Sequence, residues 1–213
     1  MNEVVVIDYG VGNLYSVKRA LEYCGADVIL TDDADVILNS RRVILPGVGA
    51  FKNGMNGLLD RGLVPVIQEY ARNGNFLLGI CLGMQMLVTS SEEFGHHMGL
   101  NIIPGHVGKI SNKGANGMPH KIPHIGWTEL IKTEQKKDWK NTIISQQKLS
   151  DSVYIVHSYA VTTDNPDYRL ADCVYNGLKI SAVINKGNVY GCQFHPEKSG
   201  RVGLEILRKF LSL

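Results

Sequence analysis

Short runs of β-branched residues alternate with helical patterns through the first ninety residues of this 213-residue chain. The runs fall at 4–7, 27–30, 43–45 and 76–80. Asn13 is placed to cap the first of the intervening helices and Gly25 to end it. Because neighbouring parallel strands need a crossover between them, usually a helix, this alternation predicts a parallel sheet covered by helices.

From about residue 100 the chain changes to short strands separated by Gly, Pro, Asn and Asp, which is typical of antiparallel sheet. The candidate strands lie near 106–110, 125–131, 153–157, 170–175, 179–185 and 188–193. A last helix carries Leu204, Leu207 and Phe210 at helical spacing. We therefore expect one α/β domain over residues 1–213, with a mixed, largely parallel central sheet flanked by helices and additional antiparallel strands in the carboxyl-terminal half.

The composition argues against several classes of partner. The formal net charge is only +2, and the lysine run at 132, 136, 137 and 140 is diluted by Glu134 and Asp138, so we expect no nucleic-acid partner. The amino terminus lacks a basic leader and glycines interrupt the longest apolar stretch, 76–88, which predicts no membrane segment and a cytoplasmic protein. Four cysteines without a Cys-x-x-Cys pair argue against a disulfide framework or a thiolate zinc site, so we expect neither a metal nor a cofactor.

The strongest local signal is the segment 79–83, Gly-Ile-Cys-Leu-Gly, where a predicted strand passes into a helical pattern that begins near Met84. Small residues on both sides of Cys81 suit a sharp nucleophile elbow, which presents the central side chain at the carboxyl edge of the sheet. The start of the helix would favour a thiolate there, and the amide of Leu82 could donate to an oxyanion. The alternative is a buried structural cysteine.

A cysteine nucleophile needs a base, and the base needs an orienting group. His195 and Glu197 follow a predicted strand two residues apart, so in extended backbone both side chains would point to one side. Pro196 favours extended backbone at His195. The fragment alone fits an exposed loop histidine with a solvated glutamate better than catalysis, and its co-occurrence with the elbow is what points to catalysis.

A third fragment, Gly47-Val48-Gly49, follows the strand 43–45 and also opens at the carboxyl edge of the sheet. Its glycines leave backbone amides unobstructed, which suits a second donor to an oxyanion, although an ordinary tight turn would explain it as well. Ligand sites of open α/β sheets gather at this edge. We call Gly47, Val48 and Gly49 the oxyanion segment.

Together these fragments resemble the class I, triad-type glutamine amidotransferases, and among them the glutaminase subunits of imidazole glycerol phosphate synthases. The elbow and the His-Pro-Glu segment are typical of the whole class. Segments with the patterns Tyr-Gly-x-Gly-Asn, Pro-Gly-Val-Gly-Ala-Phe and Pro-His-x-Gly-Trp are typical of this subunit. The resemblance extends over nearly the whole chain, in segments 8–14, 45–51, 78–85, 123–127, 156–159 and 193–199.

The resemblance implies a flavodoxin-like amidotransferase architecture and hydrolysis of glutamine to glutamate and ammonia through a thioester on Cys81. His195 would accept the thiol proton and then protonate the departing ammonia, while Glu197 would hold the imidazole. The oxyanion segment and the amide of Leu82 would stabilise the tetrahedral oxyanion. The positions that would hold the substrate are Gln85, Glu93, Ser158 and Tyr159.

The resemblance also implies a partner that receives the ammonia. In the family this is a (βα)8-barrel cyclase or synthase subunit, bound as a heterodimer, which makes imidazole glycerol phosphate and an aminoimidazole carboxamide ribonucleotide in histidine biosynthesis. The partner interface would contain Asn13, Trp127, Tyr154 and Lys198, with Lys198 as an ion-pair donor. Each of the four also has an ordinary explanation, as a helix cap, a core aromatic, a strand tyrosine and a solvated lysine.

Other functions stay open at this point. Paralogues of this subunit supply ammonia for an amidino sugar in surface-polysaccharide biosynthesis, and the catalytic residues do not separate the two roles. A non-catalytic binding subunit would keep the fold without the chemistry, although the presence of all three triad residues argues against it. Two departures from the family pattern, Asn101 in place of Gly and Thr128 in place of Asn, lie outside the triad.

Overall fold

The structure is a computed structural model that describes residues 3–135 and 138–213, so Lys136 and Lys137 of the lysine run lie outside the described residues. Its strands are β1 (Glu3–Ile7), β2 (Asp27–Thr31), β3 (Arg42–Gly47), β4 (Phe76–Cys81), β5 (Val88–Ser91), β6 (His97–Met98), β7 (Ile103–Lys109), β8 (His124–Glu129), β9 (Ile131–Lys132), β10 (Ser152–His157), β11 (Tyr159–Thr163), β12 (Arg169–Tyr175), β13 (Leu178–Lys186) and β14 (Val189–Cys192). Its α-helices are α1 (Leu14–Tyr23), α2 (Ala34–Asn39), α3 (Phe51–Asp60), α4 (Leu63–Arg72), α5 (Leu82–Met86) and α6 (Gly200–Leu211), with 3₁₀ turns at Pro166–Tyr168 and Pro196–Lys198.

The central sheet has eight strands in the order β2-β1-β3-β4-β14-β13-β12-β9. The pairings from β2 to β14 are parallel and those from β14 to β9 are antiparallel. A four-stranded sheet, β11-β7-β5-β6, and the antiparallel pair β10-β8 lie beside it. The predicted mixed sheet with extra antiparallel strands is confirmed, although β5, β6 and β11 were not predicted. β5 and β6 have only four and two residues, whereas β11 carries a Val and two Thr that favour a strand.

The core forms on both faces of the central sheet because successive side chains of a strand point to opposite sides. In β1, Val4 and Val6 join one buried cluster with α1 and α6, whereas Val5 and Ile7 join a second cluster with α2, α3 and α4. Fully buried strands of this kind read as continuous apolar runs, which is why they were recognisable in the sequence. No helix in the described part of the chain is long and apolar enough to span a membrane.

The first helix follows the prediction in detail. The side chain of Asn13 accepts a hydrogen bond from the amide of Ser16 over 3.4 Å, and Gly25 adopts φ +85° just after the helix ends. Val17 and Leu21 are buried on the face that packs against the sheet. The capping residues therefore mark the two ends of this helix, and the buried residues mark the face that packs on the sheet.

The two departures from the family pattern have local explanations. Asn101 adopts φ +52°, a left-handed conformation that glycine accepts most readily and that asparagine tolerates better than most residues. Its Oδ1 also accepts a hydrogen bond from Thr89 over 2.8 Å. Thr128 hydrogen-bonds the Cys173 thiol, and it alternates along β8 with the exposed Trp127, so its side chain points into the protein.

Candidate active site

The Cys81 elbow lies at the carboxyl end of β4, between two other strands whose ends build the site. Cys81 has φ +55° and ψ −109°, a strained backbone conformation that presents its side chain away from the sheet. The following helix, α5, begins at Leu82, two residues earlier than the sequence indicates, and has only five residues. An added Cβ on Gly83 would lie 1.8 Å from the carbonyl oxygen of Leu45. The glycine after the cysteine is therefore required by close packing of α5 on β3.

The base and its orienting group meet behind the cysteine. His195 Nδ1 lies 2.8 Å from Glu197 Oε1, both side chains are buried, and the imidazole also hydrogen-bonds Cys81. The predicted contact between His195 and Glu197 is therefore present, and His195 has the predicted extended backbone, with φ −98° and ψ 98°. The extended backbone does not continue to Glu197. The backbone from Pro196 to Lys198 forms a 3₁₀ turn, because Pro196 has the φ that its first position needs, and the turn folds Glu197 back under the imidazole.

The surroundings of His195 favour its protonated form. Burial lowers its pKa, but hydrogen bonds to Cys81 and Glu197 and the charges of both groups outweigh burial and raise the pKa to about 9. A raised pKa makes the imidazole a stronger base towards the Cys81 thiol. A base in this position activates a cysteine nucleophile.

The oxyanion segment lies beside the elbow, since Gly47 of β3 is the neighbour of Cys81 in β4. The Tyr9 hydroxyl donates to the Pro46 carbonyl over 2.7 Å. An added Cβ on Gly47 would lie 2.6 Å from that hydroxyl, so the start of the segment is closely packed. Gly49 at the other end adopts φ +92°, with open space where a Cβ would be.

A cavity of about 320 Å³ opens at this edge of the sheet, close to the lower limit for small-molecule sites. Gly47 and Glu197 lie behind its wall. The residues that line it are Val48, Gly49, Cys81, Leu82, Gln85, Glu93, Pro123, Val156, His157, Ser158, Tyr159 and His195. The structure therefore brings the predicted nucleophile, base, oxyanion donors and substrate-holding positions to one cavity.

The predicted substrate-holding residues also contact other parts of the protein. Gln85 Nε2 donates to the Tyr159 carbonyl over 3.1 Å and to Gln193 Oε1 over 3.0 Å. Glu93 Oε2 accepts a hydrogen bond from the backbone amide of Phe51 over 2.6 Å. These bonds fix the side chains along the cavity wall before any ligand is present.

Two features of the site were missed by sequence reasoning. Gln193 is fully buried, and its Nε2 lies 3.9 Å from Cys81 Sγ. His157 Nδ1 donates to the Tyr159 carbonyl over 2.8 Å, and its Nε2 lies 3.1 Å from His124 Nδ1. All three side chains belong to segments that carry the family resemblance, which is the signal that could have marked them.

The predicted interface residues fall into two places. Trp127 and Tyr154 face each other across the β8-β10 pair, with ring centroids 6.0 Å apart, and Trp127 is 61% exposed. Lys198 is exposed in the turn that contains Glu197, and α1, which Asn13 caps, packs against that turn. Trp127 is therefore not the core aromatic of the alternative explanation.

No group of three or more His, Cys, Asp or Glu side chains within residues 3–135 and 138–213 is arranged to hold a metal ion. The four cysteines all carry free thiols. The site as built is an arrangement of protein side chains and backbone amides around one thiol, which suits acyl transfer by a covalent intermediate.

Comparisons with known proteins agree with this geometry. The family model for class-I glutamine amidotransferases matches residues 5–213. The chain is 51% identical over 213 residues, the whole of both chains, to imidazole glycerol phosphate synthase subunit HisH 1 of Legionella pneumophila (strain Paris). It is 45% identical over 208 residues, 98% of this chain and 95% of the relative, to the HisH subunit of Geobacillus sp. (strain WCH70).

Solved structures share the fold at low sequence identity. PurLQS from Thermotoga maritima aligns with a TM-score of 0.68 at 20% identity, covering 99% of this chain and 97% of that one. A glutamine amidotransferase from Thermotoga maritima aligns with a TM-score of 0.60 at 18% identity, covering 94% of this chain and 78% of that one. By its family match and its full-length relatives, the chain belongs to the class-I glutamine amidotransferase family.

Proposed function

We propose that this chain is the glutaminase subunit of an imidazole glycerol phosphate synthase and that Cys81 is its nucleophile. One observation carries the proposal: Cys81 hydrogen-bonds His195, which is held by Glu197 over 2.8 Å, at the wall of a cavity. The names of the 51% and 45% identical relatives support this synthase over the polysaccharide paralogue. The assembled triad disfavours a non-catalytic subunit.

In the proposed reaction, Sγ of Cys81 attacks the side-chain carbonyl carbon of glutamine while the thiol proton is on His195. The C–N bond breaks as His195 gives a proton to the nitrogen, so ammonia leaves and a γ-glutamyl thioester remains. A water molecule that loses a proton to His195 then cleaves the thioester, releasing glutamate and the thiol. The amide of Leu82 and the oxyanion segment would stabilise the negative oxygen of each tetrahedral intermediate.

Glutamine would lie along the wall formed by Gln85, Glu93, Ser158 and Tyr159. The carboxylate of Glu93 suits the substrate α-ammonium group, because an ion pair inside a cavity is screened less than one at the surface. The backbone at Ser158 and Tyr159 and the amide of Gln85 offer neutral hydrogen-bonding groups. The small cavity favours a single amino acid over a peptide.

The released ammonia would pass to a (βα)8-barrel partner in a heterodimer, where it would be used for imidazole glycerol phosphate and the aminoimidazole carboxamide ribonucleotide of histidine biosynthesis. Exposed Trp127 with Tyr154, exposed Lys198 and the start of α1 at Asn13 support a partner surface there. We also propose one domain over residues 1–213, supported by the family match over 5–213, and a cytoplasmic location, supported by the four free thiols.

The test is glutamate release from glutamine by the complex with the barrel subunit, for the wild type, Cys81→Ala and Cys81→Ser. Both variants should lose the activity, and unchanged hydrolysis would rule out Cys81 as the nucleophile. Supplying the barrel subunit with either the phosphoribulosyl acceptor of histidine synthesis or the amidino-sugar precursor then identifies which acceptor takes the glutamine nitrogen. Incorporation into the sugar alone would assign the chain to the paralogous role.

A further inference from the structure

Glu93 connects the cavity wall to the helix that follows the oxyanion segment. Its carboxylate lines the cavity, and its Oε2 accepts a hydrogen bond from the amide of Phe51 over 2.6 Å. Phe51 is the first residue of α3, and only Ala50 separates it from Gly49. One carboxylate therefore reaches from the proposed substrate position to the end of the oxyanion segment.

Neither the N-cap residue nor the first turn of α3 supplies a side chain that accepts a hydrogen bond from the first backbone amides of the helix. Its N-cap residue is Ala50, which makes no side-chain capping bond, and no acidic residue lies in the first turn. The first amides of a helix have no partner inside the helix, and a negative charge there is stabilising. Glu93 supplies both an acceptor and a charge from a distant part of the chain.

The two ends of the oxyanion segment are held very differently. Gly47 is packed closely against the Tyr9 hydroxyl and against Leu82. Gly49 adopts φ +92° with nothing within 4 Å of where a Cβ would be, and Val48 is 39% exposed. The downstream end is thus loosely packed, and the bond from Phe51 to Glu93 is a fixed point just beyond it.

We propose that Glu93 is a positioning residue for the oxyanion segment in addition to its proposed contact with glutamine. A carboxylate has two oxygens and can accept several hydrogen bonds, so Oε2 keeps the Phe51 amide while Oε1 takes the substrate α-ammonium. The same side chain that binds the substrate then holds the amides that stabilise its reacting oxygen. Only the kinetic test of this role rests on the proposed glutaminase function.

The two roles are separable because they need different properties of residue 93. In Glu93→Gln the side-chain oxygen can still accept from Phe51 but the charge is gone, so KM for glutamine should rise about 10-fold or more while kcat stays within about two-fold. Glu93→Ala loses both, so kcat should also fall about 10-fold, less than the 10²–10³ of a removed oxyanion donor. Glu92→Ala, which removes an exposed neighbouring carboxylate, is the matched control.

A second substitution tests the mechanism directly. Ala50 has extended backbone, φ −83° and ψ 144°, which suits an N-cap serine. In Glu93→Ala, adding Ala50→Ser should restore most of kcat and leave KM high, because serine caps α3 without replacing the charge in the cavity. If Glu93→Ala raises KM with kcat unchanged, or if Ala50→Ser restores nothing, the positioning role is wrong.

Backbone amide hydrogen exchange gives a readout that needs neither substrate nor partner. Exchange over residues 49–54 should be faster in Glu93→Ala than in the wild type, Glu93→Gln and Glu92→Ala, and should slow again with Ala50→Ser. Equal exchange in all five proteins would overturn the inference. A wild-type complex that does not hydrolyse glutamine would instead refute the proposed function, and the exchange result would still decide the role of Glu93.

Discussion

Gln193 places its side-chain Nε2 3.9 Å from Sγ of Cys81, while its Oε1 accepts a hydrogen bond from Gln85. Gln193 is fully buried and directly follows β14, two residues before His195. Its side-chain N–H group can donate a weak hydrogen bond to the sulfur. The nucleophile thus has a second polar neighbour besides its base.

Replacing Gln193 by Met should keep the volume and remove this donor. We expect the rate of Cys81 alkylation by iodoacetamide at pH 7 to fall several-fold, since the sulfur loses its N–H neighbour. Gln147→Met is the control, because Gln147 is another buried glutamine and its side-chain amide has no hydrogen-bond partner among the described residues. An unchanged alkylation rate in Gln193→Met would mean that the 3.9 Å contact does not affect the reactivity of the sulfur.

Cys81→Ala should lower the pKa of His195 from about 9. The hydrogen bond and charge of Cys81 are among the causes that raise this pKa against the effect of burial. A histidine whose pKa is raised by folding stabilises the fold fully below about pH 6.5, and this stabilisation is lost as pH rises through the pKa of the folded state. Because that pKa should be lower in Cys81→Ala, the variant should lose the stabilisation at a lower pH. NMR titration of the imidazole checks the shift, and an identical pKa in both proteins would contradict a direct interaction between Cys81 and His195.

Acid should destabilise the protein through the pair His124 and His157. The Tyr159 carbonyl only accepts, so neutral His157 donates from Nδ1 and must accept from His124 at Nε2. Burial lowers the pKa of His157 to about 4, which the bond to Tyr159 partly offsets and His124 reinforces. Because the folded value is depressed, stability present above about pH 6.5 is lost as pH falls towards 4, by about 3 kcal/mol at most.

Replacing His157 by Asn should flatten this acid loss, since Asn keeps a donor for the Tyr159 carbonyl and does not titrate. Thermal unfolding between pH 7.5 and 4.5 measures it, with the exposed His96→Asn as the control. If the melting temperatures of both variants fall on acidification by as much as that of the wild type, His157 is not the source of the acid destabilisation.

Gly83→Ala should be strongly destabilising and should displace the elbow. The added Cβ would lie 1.8 Å from the Leu45 carbonyl oxygen, so α5 and β3 must move apart, at a cost of about 3 kcal/mol or more. Gly108→Ala is the comparison, because its Cβ would meet only the His106 ring at 3.9 Å. Urea unfolding of both variants tests this, and similar midpoints would show that the close approach at Gly83 is easily relieved.

The proposed glutaminase rate should be low in the isolated chain and should rise when the proposed barrel partner and its ligand bind. The reason is the oxyanion segment, whose glycines allow the amides to point away from the cavity at rest, and whose Gly49 end is loosely packed. Steady-state rates with and without the partner measure the effect. Equal rates in the two states would rule out gating by this segment.

The sequence predicted the parts of the fold that depend on neighbours along the chain. The apolar runs at 4–7 and 43–45 and the helix capped by Asn13 were recognisable because burial on both faces and capping each leave a local pattern. The four residues of β5 leave too short a pattern, since pairing with β7 is what makes them a strand. Extended backbone at His195 was predicted and is present, but the 3₁₀ turn that begins at Pro196 was not predicted, because the φ of Pro suits both conformations.

Amino-acid order alone determined that Cys81 stands at a strand-to-helix turn flanked by glycines and that His195 is followed by a carboxylate two residues later. Only the tertiary structure decided that these two segments touch, that Gln193 contacts the sulfur and that Glu93 holds the start of α3. The reason is that strand order in the sheet, with β4 between β3 and β14, sets which chain ends become neighbours. That order follows from packing of the whole core on both faces of the sheet, which no short segment contains.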